Sequence, residues 1–410
     1  MRRTSDVVIA GAGIAGVATA WQLATRLGTT STVLVDPRPP LSLTSDRPAA
    51  NYRNWWPQPS MVALADRSIA LTEDLLASGA TFAMNRRGYL YVTGDLGTAA
   101  SLPSVVERHV AAGVAPDDID LLDANDILSR YPHLASNLRS AVHARRAGSL
   151  DTVGLGRALL AIAVGRGVEV IHGEVVATAI IRDRVVAVTV STPGGHLEIS
   201  TNRFVNAAGP FAREVARRLG SDLALETILR QKVVIRDRLG VVPRDAPFTI
   251  GLDRTGDLPA GVHIKPDGGP ADDTIKLGWA RDQAPSEAIA DPPCPPEFPG
   301  EVVARAATLV PGLAAYVAHP PEIVAHDGGF YARSPDGLPM IGPHGVDGAY
   351  VIGGLAGFGS MMACAAGELA AGWVLESNLP SLAGSFDPRR FGEPGRPVER
   401  AIGVPPAGEL

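Results

Sequence analysis

Only two of the 410 residues are cysteine, Cys294 and Cys364. They form no CxxC pair and cannot build a disulfide framework, which fits a reducing cytoplasm. No uninterrupted apolar run reaches the roughly 18 residues that a membrane-spanning helix needs. The first residues, "MRRTSDVVIAGAGIAG", set two arginines ahead of an apolar run that glycines soon break. That run reads as a first strand rather than a signal peptide. Lys and Arg are nowhere concentrated and the formal net charge is −6, which argues against a nucleic-acid partner. The histidines are scattered without metal-ligand spacing, so no metal is expected. There is no internal repeat and no low-complexity block.

What is abundant is glycine and proline, 45 and 34 residues. That makes a turn-rich chain short of the disordered range, and its length suits two lobes. "DVVIAGAGIAGVATAWQLATRLG" reads as strand, tight turn and helix, and "STVLVD" as the next strand. "SMVALADRSIALTEDLLASG" has helical apolar spacing, with Ser60 as N-cap and Gly79 as stop. "VVAVTVSTPGGHLEIS" alternates like a hairpin around Gly194 and Gly195. From about 223 to 325 short strand-like pieces alternate with Pro and Gly, and after about 378 an extended tail is expected. The expected class is α/β plus α+β. A discontinuous Rossmann-like nucleotide domain would take 1–85, 148–222 and 326–378. A mixed-sheet substrate domain would take 86–147 and 223–325, leaving 379–410 as the tail.

Gly11, Gly13 and Gly16 form G-x-G-x-x-G between strand and helix. The first allows the tight turn, the second lets a pyrophosphate approach the backbone, and the third lets helix and strand pack closely. The helix start offers N–H groups and partial positive charge to phosphates. Asp36 ends the second strand, where a carboxylate holds ribose hydroxyls. The acid argues against NADP and leaves NAD and FAD open.

A second glycine loop, "GGLAGFGSMMACAAGEL" at 353–369, also runs into a helix. FAD has a use for two such devices, one at its pyrophosphate and one at the isoalloxazine, where reduction places negative charge. Gly354, Gly357 and Gly359 would let backbone lie against the ring. The competing reading is a close-packed buried helix with a glycine-rich entry.

The chain resembles the D-amino-acid oxidase-like flavoproteins, the group holding glycine oxidase, monomeric sarcosine oxidase and dimethylglycine dehydrogenase. The resemblance rests on "VVIAGAGIAG" with Asp36, "GVEVIHGEVVATAI", "FVNAAGPFA", "TIKLGW", and "YARSPDGLPMIGP" leading to the second glycine loop. It implies FAD, with Val176 near the adenine, Thr44 and Ser45 near the pyrophosphate, and Arg38, Ala208 and Gly209 among the cofactor contacts. Covalent members tether the flavin to a Cys or a His. Here the matching cysteine position is Gly329 and 41–60 contains no His, so a noncovalent cofactor is expected.

The resemblance also implies catalytic candidates. Lys276 matches the oxygen-activating lysine of sarcosine oxidase-like members, and a fixed cation would stabilise nascent superoxide. From pattern alone it is a solvated strand face. Arg53 has two readings, a bidentate clamp on a substrate carboxylate or an arginine tied to a phosphate or to a structural acid. Trp55 and Trp56 would wall the cavity or sit in the core. His263 falls near a substrate-facing tyrosine position, and Tyr331 near a substrate-contacting one. Met361 stands where sarcosine oxidase-like proteins carry a carboxylate-binding lysine, which points to a larger or less acidic substrate. The expected activity is oxidation of a C–N bond in an amine or amino acid: hydride to flavin N5, an imine product, and reoxidation by oxygen giving hydrogen peroxide. The alternatives are a dehydrogenase serving a quinone or carrier protein, a low-turnover flavin-bearing assembly protein, and an NAD-dependent dehydrogenase.

Overall fold

The computed structural model describes residues 2–27, 31–254, 259–269, 271–281 and 284–392. The opening strand Val7–Ala10 is buried throughout, and the Gly11–Gly13 turn feeds helix Ile14–Leu27. This strand lies inside a six-stranded sheet, in the order Met340–Pro343, Ala349–Gly353, Phe204–Asn206, Val7–Ala10, Thr32–Asp36, Glu169–His172. All neighbours are parallel except the Met340–Pro343 edge. Short apolar runs such as "VVIA" suit strands covered on both faces. The sheet therefore gathers three distant stretches of chain into one layer.

Helix Gly359–Val374 packs along helix Ile14–Leu27. The approach is set by missing side chains. A Cβ on Gly367 would lie 2.6 Å from the Ala18 carbonyl carbon. Within the first unit, a Cβ on Gly16 would lie 2.0 Å from the Gly11 carbonyl oxygen, so that helix also sits tight on its own turn. The two helices consequently start side by side.

An eight-stranded mixed sheet forms the second layer, in the order Ile323–Arg333, Glu226–Arg236, Thr274–Trp279, Val262–Asp267, Phe248–Gly251, Tyr89–Thr93, Ser140–Ala144, Ile119–Asp123. One face packs Val233, Ile235, Ile264, Ile275 and Leu277 with Phe298, Val302 and Leu309. Register places the others together: Lys265 pairs with Lys276, and Gly278 pairs with both His263 and Lys232. Paired residues share a face, so these four polar side chains belong to one surface. That surface is covered, and Lys276 is only 14% exposed. The solvated strand face that its pattern suggests is absent because neighbouring loops pack over it. A four-stranded sheet includes the hairpin Arg184–Thr192 and Gly195–Ser200, with Thr192 opposite Gly195.

Three expectations need correction. Helix Pro59–Ala77 starts one residue before Ser60, with Gln58 at the cap and Pro59 in its first turn. Proline there costs no hydrogen bond and sets φ for the helix, so Ser60 is not the cap. The boundary drawn at 325/326 falls inside strand Ile323–Arg333, which belongs wholly to the eight-stranded sheet. The tail is not extended over 379–392. It forms helix Ala383–Phe386 and a 3-10 turn, Pro388–Phe391, and the rest of it lies outside the described residues. Arg390 holds it through a buried ion pair with Asp336, Nε to Oδ2 at 2.7 Å.

Gly367→Ala should destabilise the protein by roughly 1–3 kcal/mol, the usual cost of overpacking a tight core. Chemical denaturation of the FAD-loaded protein measures this, and an unchanged midpoint would contradict the close helix contact.

Candidate functional site

A cleft of about 350 Å³ opens at the paired helix starts. Gly13, Ile14 and Ala15 line it from the first helix, and Gly357, Gly359 and Ser360 from the second. Gly11 has φ +108°, and a Cβ there would lie 2.3 Å from the Ala207 carbonyl oxygen. Gly13 differs, since its Cβ would meet only Ser45 Oγ at 3.3 Å. Its bare backbone therefore faces the cleft. Ser45 Oγ accepts the Ile14 N–H at 2.9 Å, taking one donor of the helix start. Asp36 lies on the cleft wall, and its two oxygens accept the Ala12 and Arg38 N–H groups, each at 2.8 Å. Each oxygen keeps a lone pair for a hydroxyl.

A smaller cavity of about 50 Å³ adjoins the cleft, sharing Arg47, Tyr331, Gly357 and Ser360 with it. Met361, Tyr89, Phe248 and Trp279 supply apolar wall, and His263, Asn51 and Lys232 supply polar groups. Arg47, Arg230 and Lys232 line this cavity, and among the described residues no carboxylate does. Lys232 pairs with Asp327. Burial nonetheless pulls its pKa down to about 8. His263 Nδ1 lies 3.0 Å from the Gly261 carbonyl oxygen. A carbonyl only accepts, so Nδ1 carries the proton and Nε2 presents a lone pair. Burial lowers the pKa of His263 to about 4, keeping it neutral near pH 7.

The sequence matches the model of one protein family, "FAD dependent oxidoreductase", over residues 6–373. The chain belongs to that family. Its cofactor is FAD. It is 29% identical to the mitochondrial dimethylglycine dehydrogenase of Rattus norvegicus over 219 residues, which are 50% of this chain and 24% of that protein. The human enzyme is 29% identical over 223 residues, 50% of this chain and 23% of that one. The match thus spans about a quarter of these relatives' length. The L-proline dehydrogenase of P. horikoshii has a similar fold, with TM-score 0.81, 23% identity, and coverage of 96% of this chain and 99% of that one. The glycine oxidase of Geobacillus kaustophilus gives TM-score 0.78 at 22% identity, covering 94% and 98%. The cleft suits FAD on its own geometry. Two helix starts meet it, Gly13 leaves room for a phosphate at one, and Asp36 keeps acceptors for ribose. Among the described residues no cysteine or histidine lines it. Cys364 is buried, with its pKa pushed up to about 12 by burial, and Gly329 lies against Thr44.

Most expected cofactor residues meet in this cleft: Gly11, Gly13, Asp36, Arg38, Thr44, Ser45, Ala208, Gly209, Gly354, Gly357 and Gly359 line it. Gly16 serves the helix packing instead. Val176 does not line the cleft, whereas Val175 does. A register shift between Val175 and Ala177 explains the slip, because it breaks the alternation of the strand. Met361, His263 and Tyr331 reach the smaller cavity.

Arg53 and Lys276 line neither cavity. Arg53 is 2% exposed, sits 4.5 Å over the Trp56 ring and donates to the Tyr91 hydroxyl. These contacts are with aromatic side chains. Trp55 stacks on His109 with ring centroids 3.8 Å apart, and Trp56 packs edge-on to Phe358. Both tryptophans are core. Lys276 Nζ lies 3.0 Å from Asp267 Oδ1. No sequence motif marks Asn51, Lys232 or Lys265. The one available signal was alternation in "HIKP", which sets Lys265 on the face of His263. No group of His, Cys, Asp and Glu among the described residues could hold a metal, and none of the helices there is long and apolar enough to cross a membrane.

Gly13→Ala should fold, since φ at Gly13 is not positive. The added methyl should weaken FAD binding at least about tenfold, a loss of about 1.4 kcal/mol. FAD retained per chain after dialysis reads this, and full retention would contradict the cleft assignment. Burial also depresses the pKa of His109, from 6.5 to about 4. Between those values the unfolded chain binds a proton that the folded chain refuses, so stability falls as pH falls. His109→Phe removes this loss. The variant should gain on the wild type by up to about 1.4 kcal/mol per pH unit across that window. A pH-independent difference in denaturation would contradict it.

Proposed function

We propose that this protein oxidises the C–N bond of a small amine or amino acid. The carrying observation is the smaller cavity, which adjoins the FAD cleft and is lined, among the described residues, by cations and aromatic rings without a carboxylate. When bound, FAD supplies the two-electron acceptor for a hydride from the carbon beside nitrogen. Gly13 and the first helix start would hold its pyrophosphate, Asp36 its ribose, and the Gly357–Ser360 backbone its ring. Within the smaller cavity Tyr331, Phe248 and Trp279 would confine the substrate and exclude water. The bare Nε2 of His263 would accept an N–H from the substrate nitrogen and so orient the adjacent carbon. The imine product would then be hydrolysed. Dimethylglycine dehydrogenase, L-proline dehydrogenase and glycine oxidase, the similar proteins, are named for substrates of this class. Two unbridged cysteines suit a reducing compartment such as the cytoplasm.

Oxygen as final acceptor, giving hydrogen peroxide, rests on positive charge at the sheet face that carries Lys232, Lys265 and Lys276. A quinone or carrier protein is the second reading. It is favoured by the pairing of Lys276 with Asp267, which neutralises the cation outside both cavities.

An anaerobic screen of D- and L-amino acids, N-methyl amino acids and cyclic amines should find at least one compound that bleaches the visible flavin band. Bleaching by dithionite alone would contradict the reading. In Lys276→Met, the oxygen reading expects unchanged bleaching and reoxidation slowed at least about tenfold, about 1.4 kcal/mol of barrier. Unchanged reoxidation by air would favour the carrier.

A further inference from the structure

Arg390 and Asp336, the buried ion pair of the tail, are each 7% exposed. The guanidinium grips the carboxylate with two donors, Nε to Oδ2 at 2.7 Å and Nη2 to Oδ1 at 3.0 Å. Nη2 also donates to the Leu338 carbonyl oxygen at 3.1 Å. Asp336 closes the turn that follows strand Ile323–Arg333, since its Oδ1 accepts the Leu338 N–H at 3.0 Å. The Ser334 hydroxyl donates across the same turn to the Leu338 carbonyl at 2.6 Å. A buried ion pair is weak evidence for stability, so its fixed, two-pronged geometry is the feature to explain.

The turn has two arms, and both reach the second glycine loop. On the arm before it, the Ala332 carbonyl accepts the Ala356 N–H at 2.9 Å. On the arm after it, Met340 pairs with Gly353. A Cβ on Gly354 would lie 3.4 Å from the Met340 nitrogen and 3.7 Å from the Leu338 carbonyl oxygen. Between the arms Ala356 has φ +39°, a left-handed conformation that a residue with a Cβ resists. Such a conformation persists only where its surroundings enforce it. Gly353, Gly354, Ala356 and Gly357 all line the FAD cleft. Tail, turn and cleft wall therefore form one chain of contacts, from Arg390 to Asp336 and Leu338 and from these to the loop.

We propose that Arg390 is a positioning residue for the flavin ring. It locks the turn at 334–338, and the arms of that turn hold the loop at 353–357 in its strained shape. That shape aims the loop N–H groups and the second helix start at the ring, where they stabilise the negative charge of reduced FAD. The proposal goes beyond C–N oxidation and rests only on the reading of the second glycine loop as the seat of the ring.

The test is the two-electron reduction potential of FAD bound to the full-length protein, read by equilibration with a reference dye, which needs no substrate. The double variant Asp336→Asn/Arg390→Gln changes no net charge and strands no buried charge, so a shift in potential reports the loop rather than a lost field. It should lower the potential by at least about 30 mV, a tenfold loss of preference for the reduced form. Arg390→Lys, which cannot reproduce the two-pronged grip, should lower it in the same direction. Arg389→Gln removes the exposed charge next door and should leave the potential unchanged. An unchanged potential in the double variant would overturn the proposal, as would an equal fall in Arg389→Gln. If the double variant does not retain FAD, Arg390→Lys decides. A lowered potential at wild-type FAD content supports the proposal, and an unchanged potential or loss of FAD there too overturns it. Gly357→Ala separates this from failure of the ring's seat, because the added Cβ would lie 2.5 Å from Tyr331 Cε2 and must displace the loop. If Gly357→Ala lowers the potential and the ion-pair variants do not, only the role of Arg390 fails. If none of them moves it, the loop is not the seat of the ring. The amine screen tests C–N oxidation independently of both.

Discussion

The structure depends on the near-contact of two helices through absent side chains. Gly367 against Ala18 leaves no room for a methyl. Helix Ile14–Leu27 and helix Gly359–Val374 therefore lie together although several hundred residues of chain separate them. Because they start side by side, two sets of unsatisfied N–H groups and two positive dipole ends open on one cleft. A diphosphate bound at one and an electron-accepting ring at the other both gain from that arrangement. The six-stranded sheet holds the helix starts in place, which is why its strands are drawn from so many parts of the chain.

The second layer adds chemistry by its register. An antiparallel pairing puts His263, Lys265, Lys276 and Lys232 on one face of the sheet, opposite the face packed on Phe298 and Val302. Gly278, opposite two of them, lacks a Cβ that would otherwise lie 2.2 Å from His263 Nε2. The imidazole is therefore accommodated by a missing side chain, as the two helices are. Each lysine meets a different fate. Lys232 reaches the smaller cavity beside Asp327, Lys276 is taken up by Asp267, and Lys265 is spent on Ala50 and Asn51.

The cofactor end was legible in the sequence because its chemistry is local. Gly11, Gly13 and Gly16, the acid at Asp36 and the second loop each state their purpose within a strand–turn–helix unit. Val175 rather than Val176 lines the cleft, at a register shift that does not show in an alternating run of small apolar residues. The substrate end was largely illegible. Arg53 follows a loop that passes the cofactor, but its partners Trp56, Tyr89 and Tyr91 are set by tertiary packing. Lys265 looks like any polar residue of a half-exposed strand until a loop folds over it. Asn51 carries no motif, and its partners Lys265 and Ser149 are brought to it only by tertiary packing.

The most direct test of the central claim is a crystal structure of the protein with FAD bound. The two-helix arrangement predicts the pyrophosphate against the N–H groups at Gly13–Ala15 and the isoalloxazine against the Gly357–Ser360 backbone. It also predicts that the smaller cavity opens onto the ring. A cofactor lying across one helix start only, or a ring pointing away from the smaller cavity, would contradict it.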